Sequence, residues 1–247
     1  MTLSIDHLTY GDVAKTIDHS LLRPELDDVF VRDGCRLAAE YDVASVCVRP
    51  ADVVLAAAML AGTDVAVGTT IAFPHGNHLT ETKVFEARRA LTDGATELDM
   101  VIQIGALKSG RDSDVRADIA AVVEVAHHAG AIVKVIFENA YLTDDEKIRA
   151  CHLTEAAGGD FVKTSTGFAP SGATHDDLRL MRANTSPHIG VKAAGGVRTL
   201  DALLEVMALG VTRVGATATA TMLDDFRARK AGNAPANVGA GSDQEAY

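Results

Sequence analysis

Short runs of β-branched and apolar residues alternate along most of this chain with longer stretches whose apolar positions recur at helical spacing. The short runs fall at about 15–18 (KTID), 43–48 (VASVCV), 65–71 (VAVGTTI) and 96–102 (TELDMVI). Four more follow at about 131–137 (AIVKVIF), 160–164 (DFVKT), 189–193 (IGVKA) and 211–215 (VTRVG). Amphipathic stretches such as 80–92 and 114–129 lie between them. The stretch 142–159 opens on Thr143, a good N-cap, carries acids in its first turn and closes on Gly158 and Gly159. A strand followed by a helix, eight times over, argues for a parallel sheet. Eight such units in one chain of this length predict an α/β fold, a closed (β/α)8 (TIM) barrel in a single domain. An open doubly wound sheet is the alternative. Residues 1–14 read as a short leader helix, and the barrel domain with that leader takes in residues 1–230. The remainder, 231–247, is AGNAPANVGAGSDQEAY, whose Gly, Ala and Asn content reads as a flexible tail.

Composition narrows the function. The chain has 247 residues, of which 47% are hydrophobic, enough for a full core. Its formal net charge of −11 argues against nucleic acid or an anionic membrane as partner, since both need a basic face. A small anionic substrate stays possible, because it feels local dipoles and a few cations. Three cysteines, Cys35, Cys47 and Cys151, with no C-x-x-C, fit a reducing compartment. The N-terminus shows no secretory h-region, and no apolar run has the length of a membrane span. A cytoplasmic protein is expected.

The unusual residues are lysines in runs that should be buried: Lys134 in AIVKVIFE, Lys163 in DFVKTSTG and Lys192 in GVKAAGG. Asp99 in ELDMV sits one strand earlier. A single strand lysine usually snorkels or lies on an edge, and Lys134 taken alone fits that pattern. Barrel chemistry sits at the C-terminal ends of the strands, so lysines on consecutive strands would converge on one mouth. Two lysines and a carboxylate suit Schiff-base chemistry. A free lysine has a pKa of ~10.4, so only about one in 2,500 is neutral at pH 7. Bringing that value to about 7 requires ~4.6 kcal/mol of differential destabilisation of the ammonium. Desolvation supplies part, and a neighbouring cation supplies more. A carboxylate beside the second lysine would keep that one charged, which pushes the two titrations apart.

Two glycine loops point to a phosphate. KAAGGVRT, 192–199, and VGATATATML, 214–223, each follow a strand and lead into a helix. Gly195, Gly196 and Gly215 would let backbone N–H groups approach an anion. His75 and His78 in FPHGNH are the nearest thing to a metal motif, but spacing offers no third ligand, so no metal is expected. His127 and His128 read as a solvated helix face.

The stretches IDHSLLRP (17–24), VCVRP (46–50), ETKVFEA (81–87), ELDMVIQIGALKSG (97–110), VKVIFEN (133–139), DFVKTSTGF (160–168), SGAT (171–174), DLRLMR (177–182) and VKAAGGVRT (191–199) resemble those of the deoxyribose-phosphate aldolase family. The resemblance covers about 14–228. It implies a class I aldolase on a (β/α)8 barrel that cleaves 2-deoxy-D-ribose 5-phosphate to D-glyceraldehyde 3-phosphate and acetaldehyde without metal or other cofactor. By motif, it implies Lys163 as the Schiff-base lysine, Lys192 as its perturbing neighbour and Asp99 as proton donor and acceptor. Cys47 and Lys134 would line the pocket, and Thr166, Gly167, Gly195, Gly196 and Gly215 would surround the phosphate end. The partners implied are a phosphorylated sugar and small aldehydes, and the assembly a monomer or homodimer. Alternatives are a related aldolase with another acceptor aldehyde, or a sugar-phosphate-binding barrel without turnover.

There are departures. After the eighth strand the family usually shows paired hydroxyls, whereas this chain reads Gly215-Ala216-Thr217-Ala218. Thr217 keeps one hydroxyl and Ala218 lacks the other, which bears on phosphate affinity. Gln103 stands where many relatives have Asn. The chain ends in Tyr247, whose phenol could reach the site on a flexible tether and assist proton transfer.

Overall fold

Strands with a polar inner face and an apolar outer face close on themselves here, in a computed structural model that describes residues 3–234. The strands are β1 (Ile17–Leu21), β2 (Ser45–Val48), β3 (Ala66–Ile71), β4 (Glu97–Val101), β5 (Ile132–Ile136), β6 (Phe161–Lys163), β7 (Gly190–Ala194) and β8 (Arg213–Ala216). Each pairs in parallel with its sequence neighbours, and β8 returns to β1, giving a closed barrel in chain order. The expected (β/α)8 architecture is present, and the open sheet is excluded by the β1–β8 pairing.

The helices are α1 (Tyr10–Ala14), α2 (Asp28–Glu40), α3 (Val53–Leu60), α4 (Thr80–Thr92), α5 (Ile104–Lys108), α6 (Asp112–His128), α7 (Asp144–Ala156), α8 (His175–Ala183), α9 (Leu200–Ala208) and α10 (Thr219–Lys230). Outward-facing Leu98, Val133, Val162 and Val191 are fully buried beneath this ring. Each such side chain contributes roughly 1.5–3 kcal/mol on burial. The Thr143 cap forms a full capping box with Glu146, and Gly158 takes a positive φ of 81° past the helix end, as that sequence demands.

Three sequence expectations shift. The leader is a 3-10 turn, Ile5–His7, followed by α1, because Thr9 and Asp12 form a capping box that restarts the helix. The first strand begins and ends later than 15–18, since its inner face carries Asp18 and Ser20 in place of apolar residues. Asp99, Lys134 and Lys192 lie in mid-strand, inside the barrel; only Lys163 stands at the C-terminal end of its strand. Among the described residues no helix is long and apolar enough to cross a membrane.

Candidate active site

Alternation along a strand sends every second side chain into the barrel. On β4 that face carries Glu97 and Asp99, on β5 Lys134, on β6 Lys163, on β7 Lys192, on β8 Arg213 and on β1 Asp18. Register does the rest: Asp99 lies beside Lys134, and Lys163 beside Lys192. The result is one buried ion network. Oδ2 of Asp99 accepts from Lys163 Nζ at 2.6 Å and from Lys192 Nζ at 2.7 Å. Its other oxygen accepts from Lys134 Nζ at 3.0 Å. Lys192 also meets Asp18 Oδ2 at 2.5 Å. Lys134 reaches Glu97 at 2.5 Å and Asp18 at 3.4 Å. Arg213 donates to Asp18 Oδ1 and, at 2.8 Å, to Glu97 Oε1.

These contacts are unequal, and the inequality is chemical. Four cations share three carboxylates, so full ionisation leaves one excess positive charge. Among the described residues, Lys134 touches three carboxylates, Lys192 and Arg213 two each, and Lys163 only Asp99. The amine most easily left neutral is therefore Lys163. Burial drives its pKa below the ordinary lysine value; Asp99 opposes this and the Lys192 ammonium adds to it. For Lys192 and Lys134 burial pulls the same way, but Asp18 and Asp99 outweigh it and hold both pKa values above the usual one. Burial works against ionisation of Asp99 too, yet Lys134, Lys163 and Lys192 together keep its carboxyl well below the carboxylate range. Lys134, expected to line the pocket, is fully buried beneath it as part of this network.

Cys47, on the inner face of β2, is buried, and burial pushes its thiol up to about 11, so it stays a neutral wall of the site near neutrality. Thr166 has another partner than the two glycine loops. Its hydroxyl donates to Glu138 Oε2, its N–H reaches Glu138 Oε1 at 3.2 Å, and its Oγ1 accepts from the Phe168 N–H at 3.0 Å. Glu138 takes a left-handed backbone (φ 58°) just past β5, an unusual conformation for a non-glycine residue. Burial raises its pKa, with Thr166 and then Lys163 opposing.

Above the lysines, the remaining sequence candidates gather in one cleft of about 140 Å³. Gly167, Gly195, Gly196, Gly215 and Thr217 all line it, with Ser171, Gly172 and Arg198. Gly195 and Gly196 have positive φ values of 82° and 95°, which glycine alone adopts freely. Helix α10 begins beside this cleft on Ala218, which makes no side-chain cap bond, so first-turn N–H groups lack that partner. His75 faces a small recess with Glu138 and Phe168, while His78 lies in a separate groove with Phe85. Tyr247 lies outside the described residues.

Four residues escaped the sequence reading. Asp18 sits in IDHS, where an acid among polar neighbours reads as the end of a strand. Glu97 and Arg213 open β4 and β8, positions that look like loop charges. Arg198 was in plain view in GGVRT, as a basic residue at the start of a helix after a glycine pair. For the others the usable signal was period two: Asp18, Glu97 and Arg213 share parity with Ser20, Asp99 and Gly215 on their strands.

Comparisons with known proteins agree with the geometry. The pattern of the DeoC/LacD family aldolases matches residues 12–228. A deoxyribose-phosphate aldolase from Rhodopirellula baltica is 51% identical over 218 residues, covering 88% of this chain and 90% of that protein. One from Thermococcus gammatolerans is 50% identical over 218 residues, covering 87% of this chain and 97% of its own length. Among solved structures, the deoxyribose phosphate aldolase from Aeropyrum pernix, described as a tetramer, superposes with a TM-score of 0.84 at 30% identity, over 91% of this chain and 95% of that one.

Proposed function

This chain belongs to the DeoC/LacD aldolase family, and from that premise we propose how its own residues act as a class I aldolase that reversibly cleaves 2-deoxy-D-ribose 5-phosphate to D-glyceraldehyde 3-phosphate and acetaldehyde. The observation that carries the assignment of roles is the single Asp99 oxygen shared by Lys163 and Lys192. Neutral Lys163 attacks the C1 aldehyde of the open-chain sugar, and the carbinolamine loses water to give a protonated imine. That imine is an electron sink. The C3 hydroxyl gives up its proton, the C2–C3 bond breaks, and its electron pair moves to an enamine on Lys163. Glyceraldehyde 3-phosphate leaves; protonation of the enamine at C2 and hydrolysis release acetaldehyde and free the amine. Asp99, held ionised by three lysines, and Lys192, held charged, are the groups that accept and return these protons. General acid–base help of this kind is worth about 10²–10⁴-fold.

The phosphate end lies in the glycine cleft, against backbone N–H groups, the start of α10, the Thr217 hydroxyl and the Arg198 guanidinium. Among the described residues that cleft is lined by one cation, Arg198, and no acid, which suits an anion on a chain of net charge −11. We take the single barrel, residues 1–230, as the whole catalytic unit. We infer a monomer or homodimer, with exposed Val29 and Phe30 on α2 and Val54 on α3 offering an apolar face to a second copy. A reducing, cytoplasmic setting is supported by three buried free thiols.

Borohydride trapping tests the chemistry. The protein is incubated with deoxyribose 5-phosphate or acetaldehyde, reduced and mapped by mass. A two-carbon adduct on Lys163 is expected, and Lys163→Arg should abolish it and cut turnover by at least ~10⁴-fold, the scale of losing a covalent nucleophile. No adduct with either compound points to a binding protein without turnover. Equal rates on deoxyribose with and without its phosphate would point to another acceptor aldehyde.

A further inference from the structure

The end of the barrel away from the mouth holds a pair of charges that the reaction does not touch. Glu97 opens β4 and Arg213 opens β8, and they meet across the barrel interior at 2.8 Å. Arg213 also lies over the Phe161 ring, 5.8 Å from its centroid, so its fork is fixed in place. Both are wired to the catalytic layer: Glu97 through Lys134 to Asp99, and Arg213 through Asp18 to Lys192.

We propose that Glu97 and Arg213 are positioning residues that set the charge on Lys163 from the opposite end of the barrel, by fixing the charge balance of the buried network. The proposal rests on the Schiff-base function given above. With Arg213 present, four cations face three carboxylates, and one ammonium is in excess. Without it, three ammonium groups match three carboxylates, and Lys163 can keep its proton at no net charge. Without Glu97, two cations are in excess, and Lys163, with its single carboxylate partner, yields further. The groups that face Lys163 are Asp99 from β4, Lys192 from β7 and Cys47 from β2, with Glu138 beyond the end of β5. Lys134 from β5 and Asp18 from β1 join them through Asp99 and Lys192. Among these, Cys47 is neutral and the others are common to every variant below, so the Glu97–Arg213 pair is the term being changed.

Distance makes the effect measurable. Arg213 is paired in register with Lys192, and Lys192 with Lys163, so Arg213 lies two strand spacings, about 10 Å, from the reacting lysine's strand position. A unit charge at about 10 Å in surroundings of effective dielectric ~20 moves a titration by about one pH unit.

The test is the acid limb of kcat/KM against pH, which reports the free enzyme, together with the pH dependence of acetaldehyde trapping on Lys163. Arg213→Gln should move both limbs up by about one pH unit, with activity regained at alkaline pH. Glu97→Gln should move them down by a similar amount. Arg213→Lys keeps the charge and should leave the profile in place. The double variant Glu97→Gln, Arg213→Gln restores the excess of one and should return the profile to that of the unaltered protein. A merely structural role would lower activity in both single variants without opposed shifts. Shifts in the same direction, no shift, or a displaced double variant overturn the inference while a Lys163 adduct leaves the function standing. If one single variant fails to fold, the other still decides by the presence and sign of its shift, with the double variant and Arg213→Lys required to keep the original limb. Absence of any Lys163 adduct in the unaltered protein strikes the function itself.

Discussion

Lys134 and Lys163 stand on adjacent strands, both out of water, yet their titrations are pulled in opposite directions. What differs is company: three carboxylates for one and a single shared oxygen for the other. Catalysis needs the unprotonated amine, so activity falls as pH drops through the lowered Lys163 titration. Lys192 and Lys134 titrate higher than ordinary lysines and stay charged above that point, which leaves a pH window with one neutral amine beside two cations. Residue identity also tunes the cleft proposed for the phosphate. Ala218 starts α10 without a capping hydroxyl. Ala218→Ser should supply one hydrogen bond worth about 1 kcal/mol, lowering KM for the phosphorylated sugar roughly fivefold in steady-state kinetics while kcat holds. At this scale the sequence was legible where a residue was out of place. Lys163, Lys192 and Asp99 are charges inside apolar runs and announce themselves. Asp18, Glu97 and Arg213 stand at strand starts, where charges are ordinary, and their role comes only from partners distant in sequence.

The strands and their following loops supply geometry that no single residue could. β6 is only three residues long, and its loop crosses to the loop after β7: the Ala173 N–H donates to Ala194 O at 3.0 Å and Gly195 O at 3.1 Å. At Gly172 the contact is so close that a Cβ would meet Gly195 O at 2.5 Å. Gly172→Ala should therefore push apart the two loops proposed to hold the phosphate. The expected outcome is a tenfold or greater rise in KM for deoxyribose 5-phosphate, with acetaldehyde trapping on Lys163 unchanged, since the amine lies below the loops. Helices α4, α7, α9 and the barrel order were readable because caps, glycines and hydrophobic spacing are local signals. The leader was not, because the break before α1 is made by a capping box, in which Thr9 and Asp12 bond reciprocally, and that depends on side-chain geometry. The first strand was misplaced for a related reason: a barrel strand whose inner face binds cations looks, in sequence, like a polar loop.

The molecule as a whole separates two electrostatic regimes. Its formal charge is −11, while its buried network would carry one excess positive charge if fully ionised and is balanced once Lys163 is neutral. Surface charge is screened within about a Debye length of ~8 Å at physiological salt, so the interior balance is set by the seven side chains that the closed barrel brings together. Closure is what makes the account specific: Asp18 on β1 reaches Arg213 on β8 only because the two ends of the sheet pair. That enclosure leaves one amine, Lys163, uncharged. The most direct measurement is an NMR titration of 15N-labelled lysine side chains, with Lys163 assigned by its loss in Lys163→Arg. The structure predicts that Lys163 loses its proton first, below the ordinary lysine value of ~10.4, while Lys134 and Lys192 remain ammonium above it. A Lys163 that holds its proton as long as Lys134 and Lys192 do would contradict the account.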